Sequence, residues 1–129
     1  MSKKALILTW ERYQDHEVIY PYYRVQEEGF EVDLMTNVIG RVHGYLGTYN
    51  ESTQLVSDFD DEKKYKNHME NYDLLIIPGG VKALEYLRQQ KNALKFINEW
   101  DQKEKVIACI CHGAQLLISA KITKGRDVS

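Results

Sequence analysis

Three short apolar runs divide the chain, at residues 5–9, 72–77 and 106–110. Runs of this length with few polar positions are typical of strands in a parallel sheet, because both faces of such strands are covered. Residues 30–35 alternate apolar and polar side chains instead, and this pattern favours a strand nearer the edge. The chain therefore predicts a sheet of at least four strands.

A helix is predicted between the first two strands. Asp15 is placed to cap its N-terminus, and the pattern continues to about Glu28, after which Gly29 ends the helix. Pro21 lies inside this pattern, so we expect it to kink the helix or to mark a broken first turn.

The rest of the chain follows the same alternation of strands and helices. The irregular stretch 36–58 suggests short strands or a hairpin, with turns at Gly40 and Gly44. Helices are predicted on the charged surface segment 58–71 and over 81–88 and 92–102.

Strands alternating with helices predict one α/β domain over residues 1–129, a mostly parallel sheet with helices on both faces. The first strand–helix–strand unit implies a parallel pair joined by a right-handed crossover. In such sheets function collects at the carboxyl ends of the strands. Three loops lie there, and they cover residues 10–17, 78–81 and 111–114.

The charge, the apolar runs and the cysteine content of the chain exclude several classes of protein. The net charge is −2 and the basic residues are scattered, which argues against nucleic acid or an anionic membrane as the main partner. No apolar run approaches the roughly 18 residues of a membrane span, and the N-terminus lacks a signal-peptide pattern, so we expect a cytoplasmic protein. The two cysteines, Cys109 and Cys111, are read as free thiols. No metal-ligand spacing is present, so no metal and no cofactor are expected.

The strongest candidate for chemistry is the junction at Cys111 and His112, where the apolar run changes to a helical period at Gly113. A nucleophile on a sharp strand-to-helix turn is the layout of a nucleophile elbow. The N–H groups at the start of a helix stabilise a thiolate and can also hold an oxyanion. The pattern alone equally allows a buried structural cysteine.

The other two loops offer groups that could assist. Glu17 can orient a thiol and share its proton, although a carboxylate in a first helical turn needs no such role. Gly79 and Gly80 can present backbone N–H groups for an oxyanion together with the N–H of His112, or they can form a simple tight turn. Glu85 can orient the His112 ring, or it can be a surface helix charge. Outside this set, Cys109 is read as a core residue and His43 as a structural hydrogen bonder.

In combination, these motifs resemble the ThiJ/PfpI superfamily, and within it the PfpI-type intracellular proteases and general stress proteins. The Cys-His-Gly junction, the Pro-Gly-Gly turn and the Glu-Val-Ile-Tyr-Pro segment are specific in combination. The matching segments are collinear and span nearly the whole chain, at residues 5–9, 15–24, 27–32, 42–45, 72–80 and 110–120.

The resemblance implies a flavodoxin-like three-layer α/β sandwich. It implies Cys111 as the nucleophile, Glu17 as the acid bonded to it, and oxyanion donors from Gly80 and His112. In oligomers of this family an acid of a neighbouring subunit would orient His112, and the counterpart here is Glu85. One departure is Ala114, which stands where the family usually has Pro, and its effect on the junction should be slight.

Members of the family continue beyond the segment that Lys124–Ser129 matches, with further strands and a closing helix. We therefore expect the sheet to be covered by a partner chain or by self-association, so that the working unit is a homo-oligomer or a heteromer. A fragment of a longer chain is the other explanation.

Two classes of function remain open. The first is an enzyme whose Cys111 adds to a carbonyl or acyl carbon, with glyoxalase, deglycase, hydratase or amide hydrolase chemistry on a small molecule or peptide. The second is a non-enzymatic stress-response, redox-sensing or chaperone-like subunit that uses a reactive Cys111. A nucleotide or flavin site is disfavoured, because the loop after the first strand has no glycine-rich phosphate cradle.

Overall fold

The structure is a computed structural model that describes residues 3–109. Its strands are β1 (Lys3–Leu8), β2 (Phe30–Thr36), β3 (Gly40–His43), β4 (Tyr49–Ser52), β5 (Gln54–Leu55), β6 (Leu74–Ile77) and β7 (Val106–Cys109). Its helices are α1 (Asp15–Glu27), α2 (Glu62–Asn71), α3 (Val81–Leu87) and α4 (Lys91–Gln102), and a 3₁₀ helix spans Val56–Asp60.

Five strands form one sheet in the order β5-β2-β1-β6-β7, and every neighbouring pair is parallel. The predicted parallel α/β sheet is therefore confirmed. The central strand is β1, where Ile7 lies opposite Leu34 of β2 on one side and Ile76 of β6 on the other. The alternating strand β2 lies one position further out, next to the two-residue edge strand β5.

Both faces of β1 are buried, which explains its continuous apolar run. Ala5 and Ile7 belong to a cluster with Val18 of α1. Leu6 and Leu8 belong to a cluster on the opposite face that contains Phe96 and Trp100 of α4 and Met69 of α2. The sheet is thus the middle of three layers. Full burial of each large apolar side chain contributes about 1.5–3 kcal/mol.

The first helix is a single unbroken element through Pro21, so of the two expectations, a kink or a broken first turn, the broken turn is wrong. Gly29 does end it: the backbone there has φ +92°, which favours glycine, and its N–H donates to the carbonyl of Gln26 at 3.0 Å. The predicted surface helix is confirmed as α2. Its N-cap is Asp61, whose carboxylate accepts hydrogen bonds from the N–H groups of Lys63 and Lys64.

Two sequence-based expectations need local correction. Asp15 is not the N-cap of α1; the residue before the helix is Gln14, and no side-chain cap is formed there. The carboxylate of Asp15 is used in a tertiary contact instead. The predicted hairpin exists as the antiparallel pair β3–β4, but Gly40 begins β3 rather than forming a turn. Gly44 does lie in the connection, where its N–H donates to the carbonyl of Thr48 at 2.9 Å.

Within residues 3–109, no helix combines the length and the apolar character that crossing a membrane requires.

Candidate functional site

The loops that follow β1 and β6 open onto the same edge of the sheet, which we call the carboxyl rim. They meet there because β1 and β6 are adjacent and parallel, with Ile7 opposite Ile76. A parallel sheet brings the carboxyl ends of neighbouring strands together, so residues distant in sequence become neighbours at this edge. The rim carries the 9–14 loop and the start of α1 on one side, and the Pro-Gly-Gly turn on the other.

A pair of hydrogen bonds joins the two loops at Gly79. Its backbone N–H donates to Oε1 of Glu17 at 2.9 Å, and its carbonyl accepts the N–H of Gln14 at 3.2 Å. Glu17 is half-buried, and its carboxylate is therefore oriented toward the turn rather than left in solvent. The N–H of Gly79, predicted as an oxyanion donor, is used to hold Glu17. The N–H of Gly80 is the other predicted donor of this turn.

Gly80 lies against the backbone of the first loop. A Cβ atom at this position would stand 2.8 Å from the Gln14 nitrogen and 3.1 Å from the Tyr13 carbonyl carbon. The backbone φ of +119° is also one that residues with side chains rarely adopt. Only glycine permits this approach, so the Pro-Gly-Gly sequence is more than a tight turn. α3 begins at the next residue, and its Leu84 N–H donates to the Gly80 carbonyl at 2.9 Å.

Asp15 anchors the loop of the β3–β4 hairpin to the start of α1. Its buried carboxylate accepts the N–H groups of Leu46 at 2.7 Å and Thr48 at 3.0 Å, as well as the Thr48 hydroxyl. Burial alone would raise the pKa of Asp15, but these hydrogen bonds outweigh it and hold the pKa below its usual value. Gly44 must be glycine, because a Cβ there would stand 2.5 Å from the carboxylate carbon.

Sequence reasoning missed this contact because its partners lie about thirty residues away. The only signal was Gly44 itself, which was assigned to a turn and not to a close approach.

A second anchor is Tyr13, whose side chain is buried beneath the hairpin. Its hydroxyl accepts Nδ2 of Asn50 at 3.0 Å and lies 3.4 Å from the Val42 carbonyl, to which it donates. Burial raises the pKa of Tyr13. Its carbonyl accepts the Tyr45 N–H at 2.8 Å, and the neighbouring Arg12 N–H donates to the His43 carbonyl at 2.9 Å. The first rim loop is thus fixed from both sides.

Glu85 is exposed on α3, where Oε1 pairs with Nη1 of Arg88 at 3.2 Å. Within the described chain it is a surface helix charge, and a role toward a neighbouring subunit stays a prediction. The His43 ring is also exposed and lies beside Tyr49, with ring centroids 6.1 Å apart, so the structure places it outside the rim contacts.

The strand that leads to the proposed nucleophile is β7. Its last residue, Cys109, lies opposite Ile77, which directly precedes the Pro-Gly-Gly turn. Cys109 is half-buried against the core, and this burial raises the pKa of its thiol. Cys109 thus packs against the core as a partly buried residue and not as a member of the fully buried cluster. Cys111, His112 and Ala114 lie outside the described residues, as does the helix predicted after Gly113.

A groove of about 260 Å³ opens beside Gly80. Side chains and backbone from both loops, the hairpin connection and the start of α3 form its wall. They are Arg12, Gln14, Tyr45, Gly80, Val81 and Lys82.

Comparison with known proteins places these features in a family. A sequence model described as the DJ-1/PfpI family matches residues 3–129. A deglycase of Pyrococcus horikoshii is 37% identical over 123 residues, which cover 95% of this chain and 69% of the relative. Protein/nucleic acid deglycase 2 of Escherichia coli is 30% identical over 129 residues, which cover 100% of this chain and 71% of the relative.

A solved structure gives the same fold. The ThiJ/PfpI domain protein of Brachyspira murdochii superposes with a TM-score of 0.84 at 19% identity. The match covers 99% of this chain and 69% of that one. The predicted flavodoxin-like sandwich is thereby confirmed.

Proposed function

Because this chain belongs to the DJ-1/PfpI family, we propose that it is a cysteine-dependent enzyme whose Cys111 adds to a carbonyl or acyl carbon. The substrate would be a small carbonyl compound or a peptide. The observation that carries the proposal is the hydrogen bond from the Gly79 N–H to the Glu17 carboxylate at 2.9 Å. It places an acid and a glycine turn side by side at the carboxyl rim, where such an enzyme needs them.

The third component of the proposed site is Cys111, and its place in the sequence just after β7 supports the proposal. Cys109 lies opposite Ile77, one residue before the Pro-Gly-Gly turn. Two residues of chain reach no further than about 7 Å, so Cys111 follows at short range from the strand beside that turn.

The proposed reaction begins when Glu17 shares or accepts the thiol proton, which leaves a thiolate on Cys111. The thiolate forms a C–S bond to the carbonyl carbon, and the electron pair of the C=O bond moves to oxygen. The backbone N–H groups of Gly80 and His112 would stabilise that oxyanion. With a 2-oxoaldehyde, Glu17 returns the proton to the oxyanion, the hemithioacetal rearranges to a thioester, and water cleaves the C–S bond to release the acid and the Cys111 thiol. With an amide, the oxyanion collapses as the C–N bond breaks, the amine leaves with the proton from Glu17, and water then hydrolyses the thioester.

Deglycase or glyoxalase chemistry on carbonyl adducts and 2-oxoaldehydes is the form we favour, because both relatives described above are named deglycases. Hydration and amide hydrolysis use the same first step. No cofactor is needed for any of them, since the thiolate supplies the electron pair. The free thiol of Cys109 fits a reducing compartment, and we propose the cytoplasm.

The experiment compares the wild type with Cys111→Ala in two assays, loss of methylglyoxal and hydrolysis of peptide amides. Cys109→Ala is the matched control, because it removes the thiol two residues away from the proposed nucleophile. We expect Cys111→Ala to abolish turnover and Cys109→Ala to retain it. Full turnover by Cys111→Ala would refute the proposal. A Cys111 thiol with a lowered pKa but no turnover in either assay would favour the redox-sensing alternative.

We also propose that the site is completed by a homo-oligomer or by a heteromer. Glu85 is exposed near the rim and is free to face a neighbouring subunit, where it would orient the His112 ring. The native mass in solution tests assembly. Glu85→Gln tests the contact: an exposed pair such as Glu85–Arg88 contributes less than about 1 kcal/mol, so a large loss of activity without unfolding would indicate a role across an interface.

A further inference from the structure

Among residues 3–109, the groove beside Gly80 is lined by two cationic side chains, Arg12 and Lys82, and by no carboxylate. Neither cation forms an ion pair with any residue between 3 and 109. Glu11, the acid next to Arg12 in sequence, faces elsewhere: its Oε1 accepts Nδ2 of Asn37 at 3.1 Å. The groove wall therefore carries two positive charges, although the whole chain carries a net charge of −2. The carboxylates of Glu17 and Asp15 lie behind this wall, where they accept the N–H groups of Gly79 and Leu46.

The groove is preformed, because backbone contacts fix each part of its wall. Arg12 has φ +70°, an uncommon conformation for a residue with a side chain, and its N–H bonds to the His43 carbonyl. The N–H of Tyr45 bonds to the Tyr13 carbonyl, and that of Gln14 bonds to the Gly79 carbonyl. A ligand does not have to order these segments, which lowers the entropic cost of binding.

The lining also offers hydrogen bonds suited to an anion. The Arg12 guanidinium presents a planar set of donors, and Lys82 presents a mobile point charge. The hydroxyl of Tyr45 and the side-chain amide of Gln14 are further donors on the same wall. Carboxylate and phosphate oxygens are the groups that accept from such a set.

We propose that this groove binds an anionic group of the substrate, so that the enzyme prefers carbonyl compounds bearing a carboxylate or a phosphate. The inference rests on the proposed function, because it takes Cys111 and the Gly80 N–H as the reacting centre. Arg12 and Lys82 determine specificity: they hold the charged end of the substrate while its carbonyl lies at Gly80. The chemistry at the carbonyl is unchanged.

The test uses two alkylating reagents of nearly equal size, the anionic iodoacetate and the neutral iodoacetamide. Either reagent forms a C–S bond with the thiolate and expels iodide. Rates at Cys111 are measured by peptide mass, which separates it from Cys109, and are expressed as the iodoacetate to iodoacetamide ratio. N-acetylcysteine gives the reference ratio for a thiol that has no protein charges around it.

We expect the ratio at Cys111 to exceed that of N-acetylcysteine by about fivefold at low salt, as two partly screened cations at close range would produce. At 1 M salt the screening length falls to about 3 Å, and the excess should largely disappear. Arg12→Gln with Lys82→Gln should bring the ratio to the free-thiol value, and because both reagents react with the same thiolate, the ratio cancels any change in the thiolate fraction. Lys63→Gln is the matched control. It removes one positive charge from α2, which packs on the face of the sheet opposite to α1.

A second readout uses a carbonyl compound. Glyoxylate, an anionic aldehyde, should protect Cys111 from iodoacetamide by forming a reversible hemithioacetal: the thiolate adds to the aldehyde carbon and the oxyanion takes a proton from water. The glyoxylate concentration needed should rise about fivefold in the double variant. Protection by the neutral methylglyoxal should be the same in both proteins.

The outcomes separate the inference from the function on which it rests. A reactive Cys111 with a free-thiol ratio, or with a ratio that the double variant does not change, would overturn the anion preference and leave the proposed function standing. A Cys111 that reacts with neither reagent would overturn both. A ratio that Lys63→Gln lowers as much as Arg12→Gln with Lys82→Gln would assign the effect to overall charge and not to the groove.

Discussion

The carboxylate of Glu17 and the backbone N–H of Gly79 are 2.9 Å apart, although 62 positions separate the two residues in the chain. The contact gives Glu17 a fixed orientation at the carboxyl rim and uses the only donor that the Gly79 backbone has. The first prediction tests whether this oriented carboxylate takes part in proton transfer or only holds the Pro-Gly-Gly turn.

Glu17→Gln should lower kcat/KM by about a hundredfold and leave the unfolding midpoint nearly unchanged. The amide oxygen of Gln can still accept the Gly79 N–H, but the side chain can no longer take up a proton. Steady-state kinetics and thermal unfolding of the same preparation measure the two effects. Glu27→Gln, an exposed change on the same helix, is the control. Equal activity of the two variants would remove Glu17 from the mechanism.

Gly80→Ala should destabilise the fold by about 2–4 kcal/mol, because the new Cβ would meet the Gln14 nitrogen at 2.8 Å in a backbone conformation that disfavours a side chain. Gly47→Ala is the matched comparison. It also has a positive φ, +94°, but nothing lies within 4 Å of its Cβ position, so a cost of about 1 kcal/mol is expected. Denaturant unfolding of both variants measures the difference. Equal costs would mean that the loops do not pack closely at Gly80.

The Asp15 carboxylate should make stability depend on pH in the acid range. Hydrogen bonding lowers its pKa in the folded state, so its contribution is fully present above the unfolded pKa of about 4 and is lost as pH falls through the folded value. Asp15→Asn should therefore cost about 2 kcal/mol at pH 7, and the gap from the wild type should narrow toward pH 3.

The free energy of unfolding as a function of pH gives this curve. Glu51→Gln, on an exposed position of β4, is the control for the removal of one carboxylate. A gap for Asp15→Asn that widens on acidification would contradict the assignment of hydrogen bonding as the dominant effect.

Replacement of Thr9 and of Thr36 by valine should have different effects on the stability of the fold. The buried Oγ1 of Thr9 finds no hydrogen-bond partner among residues 3–109, so Thr9→Val should be neutral or stabilising by up to about 1 kcal/mol. The buried Oγ1 of Thr36 donates to Ser52, and its loss should cost about 1–2 kcal/mol. Thermal unfolding measures both changes. Strong destabilisation by Thr9→Val would show that its hydroxyl has a partner in the folded protein.

The sheet was predictable from sequence because a strand that is buried on both faces has a continuous run of apolar residues. β1 and β6 have such continuous apolar runs, and β2 has the alternating apolar and polar residues of a less buried strand. The position of Glu17 near the Pro-Gly-Gly turn also followed, because parallel strands end at one edge. The elements most reliably recovered are those whose pattern is set by local burial.

Contacts between loops were not predictable in the same way. Asp15 matched a helix cap by local rules, yet its carboxylate is satisfied by Leu46 and Thr48 of a distant hairpin. Gly79 was expected to leave its N–H open, and Glu17 occupies it. In both cases a tertiary partner competes with the local role, and nothing in the neighbouring residues identifies that partner.

The central position of β1 also bears on how the molecule folds. β2 pairs with β1 after one helix, but Leu74 of β6 pairs with Ala5 of β1 across 69 positions of the chain. Closing a loop of this length costs roughly 4 kcal/mol in chain entropy. Glu17 and Gly79 cannot meet before that return is complete. The reactive centre should therefore be assembled late, and gain of activity during refolding should lag behind formation of the first helix.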